Sequence, residues 1–245
     1  MKKRFIAGIV LVLLTLSSAA GFLFWVSGIA APMPEALKAL ESDAQVLVED
    51  RGWWVFTPTQ GKPVKGFLFY PGGKVDPRSY APLMHQIAQS GFLVVLVPMP
   101  LNLAIFAPGK ADEVMKTFPG DVSWILGGHS LGGASALAFA KDHPQKVKAV
   151  VLLASYPPEG LNLSKTNLRI LSVYGEKDGL STPEKITRSQ ALLPRGTAWV
   201  EIKGGNHAQF GWYGPQVGDN MAEISRENQQ QTILGALIPF LKSID

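Results

Sequence analysis

An α/β fold, a mostly parallel and doubly wound sheet preceded by an N-terminal transmembrane helix, is what this 245-residue sequence predicts. Three observations carry the prediction. Short apolar strands alternate with helical segments along most of the chain, the pattern of a parallel sheet covered on both faces. A glycine-flanked serine, Gly128-His129-Ser130-Leu131-Gly132, joins an apolar run to a small-residue helical stretch. Ahead of both, residues 5–31 are uncharged and mostly apolar.

The N-terminus comes first in the chain. Met1-Lys2-Lys3-Arg4 precedes the stretch from Phe5 to Ala31, which is longer than the roughly 20 residues that cross a bilayer core. A cleaved signal peptide has a shorter apolar region. Ser18-Ala19-Ala20 offers a small-residue exit, yet Gly21 to Val26 continues apolar, so the segment reads as an uncleaved anchor in preference to a cleaved signal. The basic flank places the N-terminus in the cytoplasm and the remaining chain outside, as a single-pass membrane protein; cleavage would make it a secreted one. Residues 1–31 are thus an anchor or signal segment, 32–44 a linker or short lead-in helix with Pro32 and Pro34, and 45–245 one globular domain.

Within that domain, Gln45 to Glu49 and Trp53 to Thr57 flank Asp50-Arg51-Gly52 and predict an antiparallel hairpin. Val64 to Tyr70 is a more buried strand that stops at Pro71-Gly72-Gly73. Alternation follows: a helix over Tyr80 to Gln89, a strand over Phe92 to Val97, a helix over Ala111 to Phe118, and a strand at Trp124 to Leu126 leading into the serine turn. The second half predicts a helix from Leu131 to about Asp142, strands at Val147 to Ala154 and Leu168 to Tyr174, a helix after Pro183, a strand at Ala198 to Ile202 and a last helix within Ser225 to Leu241. The connection between Ala154 and Leu168 is too short for a folded lid.

Composition narrows the function. The net charge is +4, but beyond Arg4 the chain has 20 basic residues against 19 acidic, so nothing points to nucleic acid. The absence of cysteine excludes disulfides, thiol catalysis, thiolate metal sites and a lipoprotein anchor.

The serine turn carries the chemistry. A nucleophile elbow needs glycines beside the serine, because a Cβ there would strike the neighbouring strand and helix, and it leaves the hydroxyl alone above the sheet. A serine hydroxyl is a poor nucleophile and needs a base, itself oriented by a carboxylate. Of four histidines, His85 falls in a helix before the serine and His143 at a helix end. His129 adjoins Ser130, where successive extended residues face opposite ways, so its ring turns from the hydroxyl. His207, in the loop Gly204-Gly205-Asn206-His207 after the last strand, remains as the base. The acid belongs between serine and histidine in chain order, at a strand end. Asp178 meets this in Tyr174-Gly175-Glu176-Lys177-Asp178, with Glu176 its competitor. The oxyanion formed on attack needs aimed donors. Candidates are the backbone N–H of Leu131 and, in the loop Pro71-Gly72-Gly73-Lys74, that of Gly73 with Lys74 next.

The segments GHSLGG, YGEKD and GGNH resemble the alpha/beta-hydrolase superfamily over about Gln45 to Leu241. More narrowly, YPGGKVDPRSYAPL, VPMPLNLAIF and GNHAQFGWYGPQ resemble its capless bacterial group, alpha/beta hydrolase fold family five. The resemblance implies a sheet of the α/β-hydrolase type without a cap domain. It also implies a carboxylic-ester or related acyl hydrolase with nucleophile Ser130, acid Asp178 and base His207, needing no metal and no cofactor. Many esterases have histidine where this chain has Pro71, which leaves the second oxyanion donor open between Gly73 and Lys74.

Met99 and Phe106 follow a strand at the same edge, and Phe210 and Trp212 follow His207, so these four are candidate walls of an apolar pocket for a small-molecule acyl substrate. Two other functions fit the same residues: transfer of the acyl group to an acceptor other than water, and a non-catalytic surface binding domain.

Overall fold

The computed structural model describes residues 2–118, 120 and 122–244, with side chains from Leu11 onward except that of Val12. Helix α1 spans Lys2–Ser27 and a short α2 spans Pro34–Lys38. Strands β1 (Val46–Asp50) and β2 (Trp54–Pro58) form the expected antiparallel hairpin. There follow β3 (Lys65–Tyr70), α3 (Ala81–Gln89), β4 (Leu93–Leu96), α4 (Lys110–Thr117), β5 (Ser123–His129) and α5 (Leu131–Asp142). The chain closes with β6 (Ala149–Leu153), β7 (Arg169–Gly175), α6 (Pro183–Ser189), β8 (Ala198–Ile202) and α7 (Arg226–Lys242).

The eight strands make one sheet in the order β1-β2-β4-β3-β5-β6-β7-β8. From β4 to β8 every pairing is parallel, while β2 joins β4 antiparallel, so the hairpin is the one antiparallel edge. Alternate residues of a strand face opposite ways. Phe67 and Phe69 of β3 therefore pack with Ile87 of α3 and with Ile233, Leu237 and Leu241 of α7, whereas Leu68 and Tyr70 pack with Val114 of α4 and with Ala136 and Leu137 of α5. Apolar residues at nearly every position of β4 and β6 are the consequence of having both faces covered. Residues 154–168, between β6 and β7, contain no helix or strand, and no cap domain appears among the described residues.

One N-terminal expectation is revised. Among the described residues no helix is long and apolar enough to cross a membrane, so the expected transmembrane helix is not found there. The side chains that would begin that span lie outside the described residues. Residues 32–44, expected as a linker or short lead-in helix, contain α2, and the chain around Ala30 and Met33 is held at the carboxyl ends of the strands. Ala30 N–H donates to the Lys74 carbonyl at 2.8 Å, Asp76 N–H donates to the Ala30 carbonyl at 3.0 Å, and Met33 N–H donates to the Trp212 carbonyl at 2.9 Å. Val26 and Ala36 are buried, and Lys74 Nζ lies 4.5 Å from the centre of the Trp25 ring.

Removing most of one side chain from the sheet core tests this architecture. Leu152→Ala on β6, where the leucine is fully buried, should cost about 2–5 kcal/mol in urea unfolding. Val217→Ala, at a side chain 97 % exposed, should change stability by less than about 0.5 kcal/mol. Equal effects would contradict the burial pattern.

Candidate active site

The strand order places the site. β5 is central, so its carboxyl end is flanked by the loop after β3 on one side and by the turns after β6 and β7 on the other. Ser130 stands at that end with φ 50° and ψ −121°, a conformation that only a tightly held turn maintains. Two glycines make the turn possible. A Cβ on Gly128 would collide with the backbone of Gly132 and Gly133, and one on Gly132 with the carbonyls of Tyr70 and Pro71. Ser155 Oγ donates to the Ser130 carbonyl at 2.7 Å and braces the turn from the end of β6.

Asp178 and His207, on separate turns after β7 and β8, meet in the interior. His207 Nδ1 donates to Asp178 Oδ2 at 2.7 Å, and neither side chain has any exposed surface. The other carboxylate oxygen, Oδ1, accepts from the N–H groups of Leu180 (2.8 Å) and Ser181 (2.6 Å). One oxygen is thus held by the backbone and the other left for the imidazole, which fixes the tautomer with Nε2 unprotonated. Nε2 is buried and has no hydrogen-bond partner, Ser130 included. Such nucleophile–base bonds often tighten only in the complex with substrate. Glu176, the competing carboxylate, accepts from Gly204 N–H at 2.9 Å, while the imidazole bonds Asp178. His85 lies 3.6 Å from Asp43, and His143 stacks on Phe139 at the far end of α5.

Leu131 opens α5, so its N–H has no partner within the helix. Gly73 lies beside it, near enough that a Cβ on Gly73 would sit 3.1 Å from Leu131 Cδ2, and among the described residues the Gly73 N–H makes no hydrogen bond. Lys74 is different. Its N–H is donated to the Asn102 carbonyl at 2.8 Å, which removes Lys74 from the candidate oxyanion donors.

A pocket of about 270 Å³ opens beside Ser130 on the β6–β7 side, lined by Leu131, Ala134, Ser155, Tyr156, Pro158 and Ser181. The four candidate walls named from sequence do not line it. Met99 is buried in the core between sheet and helices, and Phe106 is half exposed against the ring of Phe22, 6.3 Å away. Phe210 is buried and stacks on His129, while Trp212 lies under the Arg226 guanidinium.

His129 has a place that strand alternation did not indicate. Its ring is fully buried, 4.4 Å from the ring of His207, and its Nδ1 is 2.8 Å from Tyr80 Oη, which in turn accepts the Gly72 N–H at 3.0 Å. The residue before the serine therefore links the loop carrying Gly73 to the loop carrying His207. Burial first, and the neighbouring His207 second, hold the His129 imidazole well below its ordinary value of 6.5, against a smaller opposing pull from the His207 carbonyl. Tyr80 Oη is pushed up by the same burial. Both groups are neutral, so the link is uncharged: hydrogen bonds join Gly72, Tyr80 and His129, and a ring contact joins His129 to His207. Among the described residues no cluster of three His, Asp or Glu side chains is placed to hold a metal.

A family model described as the alpha/beta hydrolase family matches residues 66–231. Salicylic acid-binding protein 2 of Nicotiana tabacum is 33% identical over 85 residues, 35% of this chain; the match spans 30% of that protein's length. Among solved structures, a protein described as a predicted CIB-like hydrolase from Thermoplasma acidophilum superposes with a TM-score of 0.59 at 14% identity, over 79% of this chain and 98% of its own. Est1E from Butyrivibrio proteoclasticus does so with a TM-score of 0.56 at 12% identity, over 82% of this chain and all of its own. At those identities the likeness is one of fold.

Two measurements check the His129 link. Tyr80→Phe leaves the Gly72 N–H and His129 Nδ1 buried without a partner, and should cost about 1–3 kcal/mol in urea unfolding; an unchanged midpoint would show that the hydroxyl bears no such bond. His129 binds its proton more weakly folded than unfolded, so its contribution is full above pH 6.5 and is lost as the pH falls below that value. Unfolding midpoints should therefore fall on acidification through pH 6.5, and fall less in His129→Gln, whereas parallel curves would refute it.

Proposed function

We propose, for a chain that belongs to the alpha/beta hydrolase family, a serine hydrolase of carboxylesterase type that cleaves esters of short acyl groups. The observation that carries this reading is the dry pairing of His207 Nδ1 with Asp178 Oδ2 at 2.7 Å, with Nε2 left unpaired, on the rim that also holds the strained Ser130.

In this reading Ser130 Oγ attacks the acyl carbon while His207 Nε2 takes its proton, and Asp178 stabilises the imidazolium that results. The oxyanion accepts hydrogen bonds from the N–H groups of Leu131 and Gly73, each worth about 3–4 kcal/mol of barrier. Leu131 also stands at the positive end of α5. Collapse of the tetrahedral species expels the alcohol, which takes the proton back from His207 Nε2. Water, activated by the same nitrogen, then attacks the Ser130 ester, and the carboxylic acid leaves as Ser130 recovers its proton. No step calls on a metal or an organic cofactor. The small pocket beside Ser130, floored by Ala134 and Pro158, favours short acyl groups over long ones.

The proposal extends to location. The uncharged stretch from Phe5 to Ala31 behind Lys2, Lys3 and Arg4 attaches the chain to a membrane with the catalytic domain outside the cytoplasm. Exposed Leu11, Leu13, Leu14, Leu16, Leu23 and Phe24 support that attachment, since large apolar side chains gathered along one helix favour a bilayer surface over water.

Ser130→Ala should lower turnover of a short p-nitrophenyl ester by roughly 10⁴-fold or more, with the thermal midpoint moved by no more than a few degrees. The wild-type chain should cleave the butyrate ester faster than the dodecanoate. Undiminished turnover in the Ser130 variant would reject the mechanism, and a preference for dodecanoate would reject the assignment of the pocket.

A further inference from the structure

Asp219 lies twelve residues beyond His207, half buried in a loop whose neighbours Val217 and Met221 are almost fully exposed. Its carboxylate nevertheless accepts four backbone N–H groups. Oδ1 takes those of Gly179 (3.1 Å), His207 (3.2 Å) and Asn220 (2.9 Å), and Oδ2 takes that of Ala208 (2.8 Å). Each carboxylate oxygen offers about two lone-pair sites, so Oδ1 is fully engaged by its three donors while Oδ2 holds the fourth. Gly179 follows Asp178, and His207 and Ala208 carry the imidazole. One side chain thus grips both the acid-bearing turn and the base-bearing loop.

Other contacts hold these segments at other points. The Asp178 carboxylate caps its own turn through Leu180 and Ser181, and Gln229 braces Asn206 from α7 through two bonds to its backbone, each within its own side of the site. Lys177 N–H reaches the Gly205 carbonyl at 2.7 Å and Gly204 N–H the Glu176 carboxylate at 2.9 Å, but both bonds lie next to the strand ends, ahead of the residues that carry the acid and the base. Packing is close here as well, since a Cβ on Gly179 would collide with the Gly218 carbonyl.

We infer that Asp219 is a positioning residue that holds the Asp178 turn and the His207 loop at a fixed separation, so the imidazole keeps one orientation while it takes and returns a proton. The role rests on the serine-hydrolase reading above. An asparagine in its place has the same size but presents donors of its own, setting N–H against N–H at one or more of the four contacts.

The test uses the full chain and a short p-nitrophenyl ester. Asp219→Asn should lower kcat about 10- to 100-fold with KM within about twofold, since a small misplacement of a catalytic group costs rate more than ground-state binding. The low-field proton resonance of His207 Nδ1–H should shift or broaden in the same variant. Gly179→Ala, which displaces the loop without altering the carboxylate, should give the same kinetic pattern, and Val217→Ala should match the wild type. Wild-type kcat in Asp219→Asn, or an unmoved resonance, overturns the proposal. Should Asp219→Asn fail to fold, Gly179→Ala decides alone, and its undiminished kcat is contrary. A wild-type chain without turnover defeats the hydrolase reading instead, and the resonance, which needs no substrate, still decides the positioning role.

Discussion

A carboxylate and an imidazole, both wholly withdrawn from water and joined by one 2.7 Å hydrogen bond, set the terms for the rest of this molecule. Burying ionisable groups is unfavourable unless every lone pair and proton finds a partner, so the surrounding loops are built to supply them. Asp178 receives two backbone N–H groups in addition to the imidazole. The His207 loop receives Asp219 on one flank, Gln229 on another, and the Arg226 guanidinium, which donates to the carbonyls of Ala208, Gly211 and Tyr213. These loops are irregular in backbone yet tied by many hydrogen bonds, and that is how an irregular segment holds a side chain still.

The second constraint is close approach of backbone. β5 turns into α5 within a space where Gly128 and Gly132 have no room for a side chain, and the turn forces Ser130 to positive φ. Neighbouring elements hold that strain in place: Ser130 N–H donates to the Leu153 carbonyl at 2.9 Å, and Ser155 Oγ to the Ser130 carbonyl. The same crowding sets Gly73 beside Leu131, so a turn that displays a hydroxyl also collects two unspent N–H groups around it. In the proposed mechanism, nucleophile display and anion stabilisation thus share one local cause.

How far the sequence disclosed this follows from which interactions leave a pattern in it. Strands β3, β4 and β6 were legible because burial on both faces leaves apolar runs, and the Ser130 turn because its geometry demands glycines at set positions. Asp178 and His207 were legible through chain order and their places after strands; that they face one another is geometry. The docked N-terminal segment left no mark, because Ala30 and Met33 hold on through backbone groups that any residue would supply. Asp219 was hidden for a related reason: it binds four N–H groups of unremarkable residues, and an acid in a Gly- and Asn-containing loop reads as a solvated turn. The pocket was missed because small and hydroxylic residues line it, whereas the large apolar ones that drew attention, Met99 and Phe210, went into the core. His129 was read from strand alternation alone, and its link through Tyr80 to Gly72 stayed hidden because it joins residues far apart in the chain.

The central claim is that Ser130, Leu131 and Gly73 surround one reacting atom. A crystal structure of the protein after reaction with a small fluorophosphonate addresses it directly. The account predicts phosphorus bonded to Ser130 Oγ, with the phosphoryl oxygen roughly 3 Å from the backbone nitrogens of Leu131 and Gly73. Phosphorus on another residue, or a phosphoryl oxygen turned away from both nitrogens, would contradict it.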